Sequence, residues 1–213
     1  MSNPTPTETK LVSEANAEWM KAFNEGPYTG YVMLEYLVKK AGLKWNDILN
    51  KGFVKNTVTK QYQLDALPYD AWVKEPNKIM ADPAMKMTWQ GRTGRCTSFT
   101  VKIISELEKK HPKAYDFRIY DLGRHRIARC EKTGVLIDSS SLQGAFKLPE
   151  DQWVRIRASE ASWKWIKGES KFVRQDGAKV QVSKTPVTQQ QAMFNCLIDL
   201  IPAKSVATFF RYA

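Results

Sequence analysis

One cysteine stands where a glycine-bearing loop gives way to an amphipathic pattern: Trp89-Gln90-Gly91-Arg92-Thr93-Gly94-Arg95-Cys96-Thr97-Ser98-Phe99. A thiol is a weak nucleophile until it is deprotonated. A helix N-terminus favours the anion through its unpaired N–H groups and dipole. With cationic neighbours, such a site lowers a cysteine pKa from about 8.5 to between roughly 3.5 and 7.5. Cys96 has the helix start, and Arg92 and Arg95 precede it. The competing reading is an ordinary buried core thiol. His125 and Asp138 follow in the order a thiol nucleophile needs, 29 and then 13 residues further on. In that arrangement His125 moves protons and Asp138 fixes its tautomer and supports the imidazolium. The Cys96 backbone N–H and the Gln90 side-chain amide would hold a developing oxyanion. His111, beside Pro112 at a helix end, reads as structural.

Two elements must bring His125 and Asp138 together. Arg124 to Cys130 and Val135 to Ser139 read as strands, joined by the hairpin loop Glu131-Lys132-Thr133-Gly134. Pairing Cys130 with Val135 puts Ile127 opposite Asp138, so His125 is a diagonal neighbour of Asp138 on one face. Such neighbours lie about 7–8 Å apart at Cα, a gap that an imidazole and a carboxylate close. An even-numbered loop keeps this parity, and an odd one would separate them.

Around these elements the periodicity changes from helical to strand-like. Residues 1–10 read as a loose polar tail. Leu11 to Asn24 and Tyr28 to Ala41 are helical, the second closing at Gly42. Asn46 or Asp47 starts a short segment to Asn50. Gln61 to Lys74 is a helical candidate interrupted at Pro68, and Glu75 to Met87 is irregular. Thr97 to Lys110 is the clearest helix, giving a nucleophile helix over 96–110. Strands follow at Phe117–Leu122, the two above, Val154–Ala158, Trp163–Lys167, Lys171–Gln175 and Lys179–Ser183, the last pair around an Asp176-Gly177 turn. Thr188 caps a final helix, Gln189–Ile201. The expectation is one α+β domain over residues 11–213. Its N-terminal half is helical, and the nucleophile helix packs on an antiparallel sheet spanning about 117–183.

The run Gln90-Gly91-x-x-Gly94-x-Cys96-x-Ser98-Phe99 resembles the nucleophile loop of papain-like cysteine peptidases, including their oxyanion-hole glutamine. The downstream spacing instead resembles the transglutaminase-like core, with cysteine on a helix, histidine on one strand and aspartate on the next. Val135-Leu136-Ile137-Asp138-Ser139 is similar to that core's strand ending of hydrophobic residues, Asp and Ser or Thr. The resemblance covers Trp89 to Ser139. Two family positions differ: Ile127 replaces the aromatic after the histidine, and the tryptophan shortly before the aspartate is absent. A thiol acyltransferase on this core, working through a thioester, is what the resemblance implies.

Composition bounds the substrate. The chain has 213 residues, 43% of them apolar, and a formal net charge of +11. The charge is uneven: 13 basic against 10 acidic side chains through Arg95, and 20 against 12 from Cys96 onward. Such a surplus favours an anionic partner. Arg92, Arg95, Arg124, Arg126 and Arg129 bracket the proposed nucleophile and base as a candidate anion-binding rim, with Arg124 and Arg126 on the strand face opposite His125. A phosphate-rich acyl donor such as aminoacyl-tRNA or a phosphopantetheine carrier suits this rim. The aminoacyl-tRNA-dependent cyclodipeptide synthases are a chemical precedent. Trp72, Trp89, Trp163 and Trp165 are candidates for a wall that keeps water from a thioester.

Transfer to an amine is therefore the leading expectation. A cysteine peptidase or amidase is the alternative, and a non-catalytic basic RNA-binding protein is a second one. No cofactor is expected. Cys96, Cys130, Cys196, His111 and His125 have no metal-ligand spacing, so no metal is expected either. No apolar run is long enough for a membrane span, and no basic leader precedes one, which predicts a cytoplasmic protein with reduced thiols.

Overall fold

A computed structural model of the chain describes residues 6–26, 35, 38–47, 53–55, 62–64, 71, 94–122, 125–139, 144–155 and 161–192. The protein is α+β, with two helices on one face of an antiparallel sheet and a second antiparallel sheet on the other.

The first helix, α1 (Pro6–Glu25), presents Leu11, Ala15, Trp19 and Ala22 at helical spacing, and all four are buried. It begins at Pro6, so residues 6–10 belong to the helix and not to the expected tail. Proline is well suited to a first turn, where its missing N–H is no loss, and Glu8 in that turn pairs with Lys147. After residue 26, the end of the next helical segment closes at Gly42. Gly42 adopts φ +67° and donates to the Lys39 carbonyl at 3.0 Å, while Leu43 donates to Val38 at 3.1 Å. This paired closure needs a left-handed residue, which glycine supplies without a Cβ penalty.

Strands β1 (Phe53–Lys55) and β2 (Tyr62–Leu64) pair antiparallel. The second overturns part of the helix expected over Gln61–Lys74. Aromatic and β-branched residues in both segments favour extended pairing once a partner strand is present. The stretch Glu75–Met87 lies outside the described residues.

The helix expected to carry the nucleophile, α2 (Cys96–Lys110), packs against α1, with Ile103 and Leu107 fully buried. It covers a five-stranded sheet built from β3 (Phe117–Asp121), β4 (Arg126–Cys130), β5 (Val135–Asp138) and β6 (Gly144–Lys147). A short strand near the C-terminal end of the described chain, Pro186–Val187, pairs with β3. Alternation decides the two faces. Ile119, Ala128, Cys130, Val135, Ile137 and Ala145 face the helices; Tyr120, Ile127, Leu136 and Phe146 face the second sheet. At the β6 edge the Asn16 side chain of α1 accepts from Ala145 N–H at 2.7 Å and donates to its carbonyl at 3.0 Å, so α1 covers the sheet edge as a further strand would. Gly144 allows this approach: it adopts φ +65°, and a Cβ there would lie 2.3 Å from Asn16 Oδ1.

The single sheet expected over 117–183 is two. Beyond β6 the chain forms β7 (Val154–Arg155), β8 (Ser162–Ile166), β9 (Lys171–Asp176) and β10 (Lys179–Ser183), a four-stranded sheet in the order β10-β9-β8-β7. Trp163, Trp165 and Phe172 point inward from it onto the first sheet. Strands that bury one face need an opposing apolar face, and the far side of the first sheet provides it. Strand β7 ends at Arg155, and residues 156–158 of the expected Val154–Ala158 strand lie outside the described residues. Lys179 pairs with Asp176 across the turn Gly177–Ala178, one residue beyond the expected turn pair. Thr188 caps the last helical segment as expected, its hydroxyl accepting from Gln191 N–H at 3.0 Å. The remainder of the expected helix, from residue 193, lies outside the described residues.

Candidate active site

The hairpin places the site. Ala128 pairs with Ile137 and Arg129 with Leu136, the register expected from a four-residue loop. The loop is closed by Gly134 N–H on the Cys130 carbonyl at 2.7 Å, with Gly134 at φ +71°. His125 sits one residue before β4, shorter at its start than the expected Arg124–Cys130, and Asp138 is the last residue of β5. Antiparallel pairing brings these two ends to the same end of the sheet. His125 Nε2 lies 2.9 Å from Asp138 Oδ1.

The N-terminus of α2 arrives at this same end. Cys96 is the first helical residue, and Arg95 before it is extended and makes no side-chain cap. With no acidic residue in the first turn, the helix N-terminus remains available to an anion at Cys96. The Cys96 thiol is hydrogen-bonded to the His125 side chain and to the Arg126 backbone N–H. Because Nε2 of His125 is engaged by Asp138, the nitrogen left for Cys96 is Nδ1.

The electrostatics follow from this contact set. Burial raises the Cys96 thiol, but the hydrogen bond and charge of His125, with the Arg126 charge and backbone N–H, outweigh it and bring it down to about 6. Burial lowers His125, yet the Asp138 charge and hydrogen bond, with Cys96, carry it up to about 10. The two shifts run in opposite directions and together favour a thiolate–imidazolium pair, a state able to serve as nucleophile and general acid.

Ser139 joins the three elements behind the site. Its hydroxyl donates to the Cys96 carbonyl at 3.0 Å and shares a 3.0 Å hydrogen bond with the Thr100 hydroxyl. Its own carbonyl accepts from the Trp19 indole N–H of α1 at 3.0 Å. The strand that carries Asp138 is thus fastened to the turn that carries Cys96. The sequence alone marked Ser139 only as a motif position and did not single out Trp19. The signal for Ser139 was its adjacency to Asp138.

Trp163 packs beside His125, with ring centroids 6.1 Å apart, and is fully buried. The Arg174 guanidinium lies over this indole, 5.6 Å from its centroid. Of the tryptophans considered for a water-excluding wall, Trp163 adjoins the site. Trp165 packs in the inter-sheet core with Tyr120 and Phe172, and Trp72 and Trp89 lie outside the described residues.

The arginine rim needs correction. Arg126 does lie on the face opposite His125, but that face is covered by helices, and the side chain is 1% exposed. It pairs with Asp121, its partner across the β3–β4 ladder, at 3.3 Å. Arg129 points to the second sheet, where it pairs with Glu131 and stacks on Trp165 at 4.3 Å. Both were expected at a surface because arginine is rarely buried; each is buried because a carboxylate accompanies it. Arg95 is half-buried at the start of α2. Arg92, Arg124 and Gln90 lie outside the described residues, as does Cys196. Among the described residues no three His, Cys, Asp or Glu side chains converge as metal ligands, and no helix is long and apolar enough to cross a membrane.

Comparison with protein-family models, with curated proteins and with solved structures finds no match to this chain.

Proposed function

We propose that the protein is a thiol acyltransferase of transglutaminase-like architecture that forms an amide bond through a thioester on Cys96. The observation that carries this reading is one linked set. Cys96 begins a helix, His125 bonds its thiol, and Asp138 holds the opposite side of the imidazole at 2.9 Å.

The steps balance on these residues. Cys96 Sγ attacks the donor carbonyl carbon, and the C–O bond of an ester donor breaks. The leaving oxygen takes the His125 proton. An acceptor amine then attacks the thioester and returns a proton to His125, and the Cys96 thiolate leaves. The Cys96 backbone N–H, with the Gln90 amide, is assigned to the oxyanion. Trp163 beside His125 supports amine transfer over hydrolysis, since a dry imidazole face offers less room for water. The net charge of +11 supports an anionic acyl carrier as donor, with aminoacyl-tRNA as the leading class.

Charged tRNA bearing a radiolabelled amino acid tests the donor. The expected result is label on the wild-type protein and none on Cys96→Ala. Absence of label with every charged tRNA, together with RNA-free protein at low salt, removes this donor class.

A further inference from the structure

Cys96 meets the His125 side chain and the Arg126 backbone N–H, and only His125 belongs to the expected triad. Arg126 follows His125 directly in the chain, so alternation sends its side chain to the opposite, helix-covered face of β4. There it is 1% exposed, and its guanidinium is held by Asp121 from the neighbouring strand at 3.3 Å. Its backbone N–H bonds the Cys96 sulfur. A substrate cannot use such an arginine as a surface anchor, because the charge is directed into the protein.

We propose that Arg126, braced by Asp121, is a positioning residue that keeps Cys96 a thiolate independently of the proton on His125. The inference rests on the reading of Cys96 as the nucleophile. The physical need is plain: His125 changes charge during each acyl transfer, whereas a guanidinium does not titrate at accessible pH. When an acceptor displaces the thioester, the thiolate must leave while His125 is still collecting a proton. A constant positive charge buried under the same helix-covered face stabilises that leaving group. The opposition comes from burial of the thiol, which favours its neutral form.

Among the described residues, the charged groups on the elements around Cys96 are few. His125 approaches from the start of β4, Asp138 from β5 behind the imidazole, and Asp121 from β3 behind Arg126. Arg95 precedes Cys96, and Glu18 on α1 is paired with Lys110 at the far end of α2. Asp121 therefore moderates Arg126, and the two partners must act on Cys96 in opposite senses. A merely structural pair would show the same sense from either side.

The pH profile of iodoacetamide alkylation at Cys96, followed by peptide mass on the full chain, separates these cases. Arg126→Gln is expected to move the Cys96 midpoint up by about one pH unit, and Asp121→Asn to move it down. Arg126→Lys, which keeps the charge, is expected to stay near the wild type. An unchanged midpoint in Arg126→Gln, or Arg126→Gln and Asp121→Asn shifting in the same direction, overturns the proposal. Should Arg126→Gln fail to fold, Asp121→Asn decides: an unchanged or raised midpoint overturns it. A wild-type Cys96 titrating near the ordinary thiol value of about 8.5 instead defeats the nucleophile reading itself.

Discussion

His125 Nε2 and Asp138 Oδ1 stand 2.9 Å apart although 13 residues separate them in the chain, because a four-residue loop preserves the parity of the two strands that carry them. That one contact orients the imidazole so that its other nitrogen serves Cys96. Asp138→Asn keeps the shape but removes the charge that raises His125. Acyl transfer is expected to fall by about 10²–10⁴-fold with the Cys96 helix intact. Full activity in a correctly folded Asp138→Asn protein would show that the contact is not catalytic.

The pH dependence follows from opposite shifts. Cys96 is lowered to about 6, so its thiolate forms as pH rises through that value. His125 is raised to about 10, so its proton is lost only above neutrality. Activity should therefore be bell-shaped, rising through about 6 and falling through about 10. Alkylation of Cys96 at neutral pH should outpace that of Cys130, which is fully buried in the helix–sheet core, and that of Cys196. Equal rates at the three thiols contradict the account.

Ser139→Ala removes a hydroxyl that bonds both the Cys96 carbonyl and the Thr100 hydroxyl. The stability loss should be about 1–3 kcal/mol by denaturant titration, since two buried polar groups lose their partner. Turnover should fall further than stability accounts for, because the first turn of α2 is no longer fastened to the strand of Asp138. Unchanged turnover with the expected stability loss would confine Ser139 to a folding role.

Trp163→Phe keeps an aromatic core residue while shrinking the surface beside His125. The acyl adduct is expected to hydrolyse several-fold faster, on the order of the 10-fold effects that follow small changes in a packed pocket. Its half-life by mass spectrometry is the check, and an unaltered half-life would remove Trp163 as the barrier to water.

What the chain discloses by itself depends on the range of the interactions. The Cys130–Val135 hairpin register was legible because loop length and alternation are local, and α2 was legible from its apolar period. Arg126 was misread because alternation says only that it opposes His125, not which face the helices cover. That choice is made by α1 and α2 packing on Ala128 and Ile137, contacts across more than a hundred residues in the case of Leu11 and Trp19. The division into two sheets was hidden for a similar reason. Trp163 and Trp165 announce a buried strand face, but not that the opposing surface is Ile127 and Leu136. Residues 62–64 show the same limit at short range, since their strand exists through pairing with 53–55.

The central claim is a covalent acyl group on Cys96. The direct measurement is the intact mass of the protein after incubation with cell extract, followed by mapping of the adduct and treatment with neutral hydroxylamine, which cleaves thioesters. The account predicts an added acyl mass on the Cys96 peptide that hydroxylamine removes and that Cys96→Ala never acquires. An adduct located elsewhere, an adduct retained by Cys96→Ala, or a wild-type protein that stays unmodified with every donor offered would contradict it.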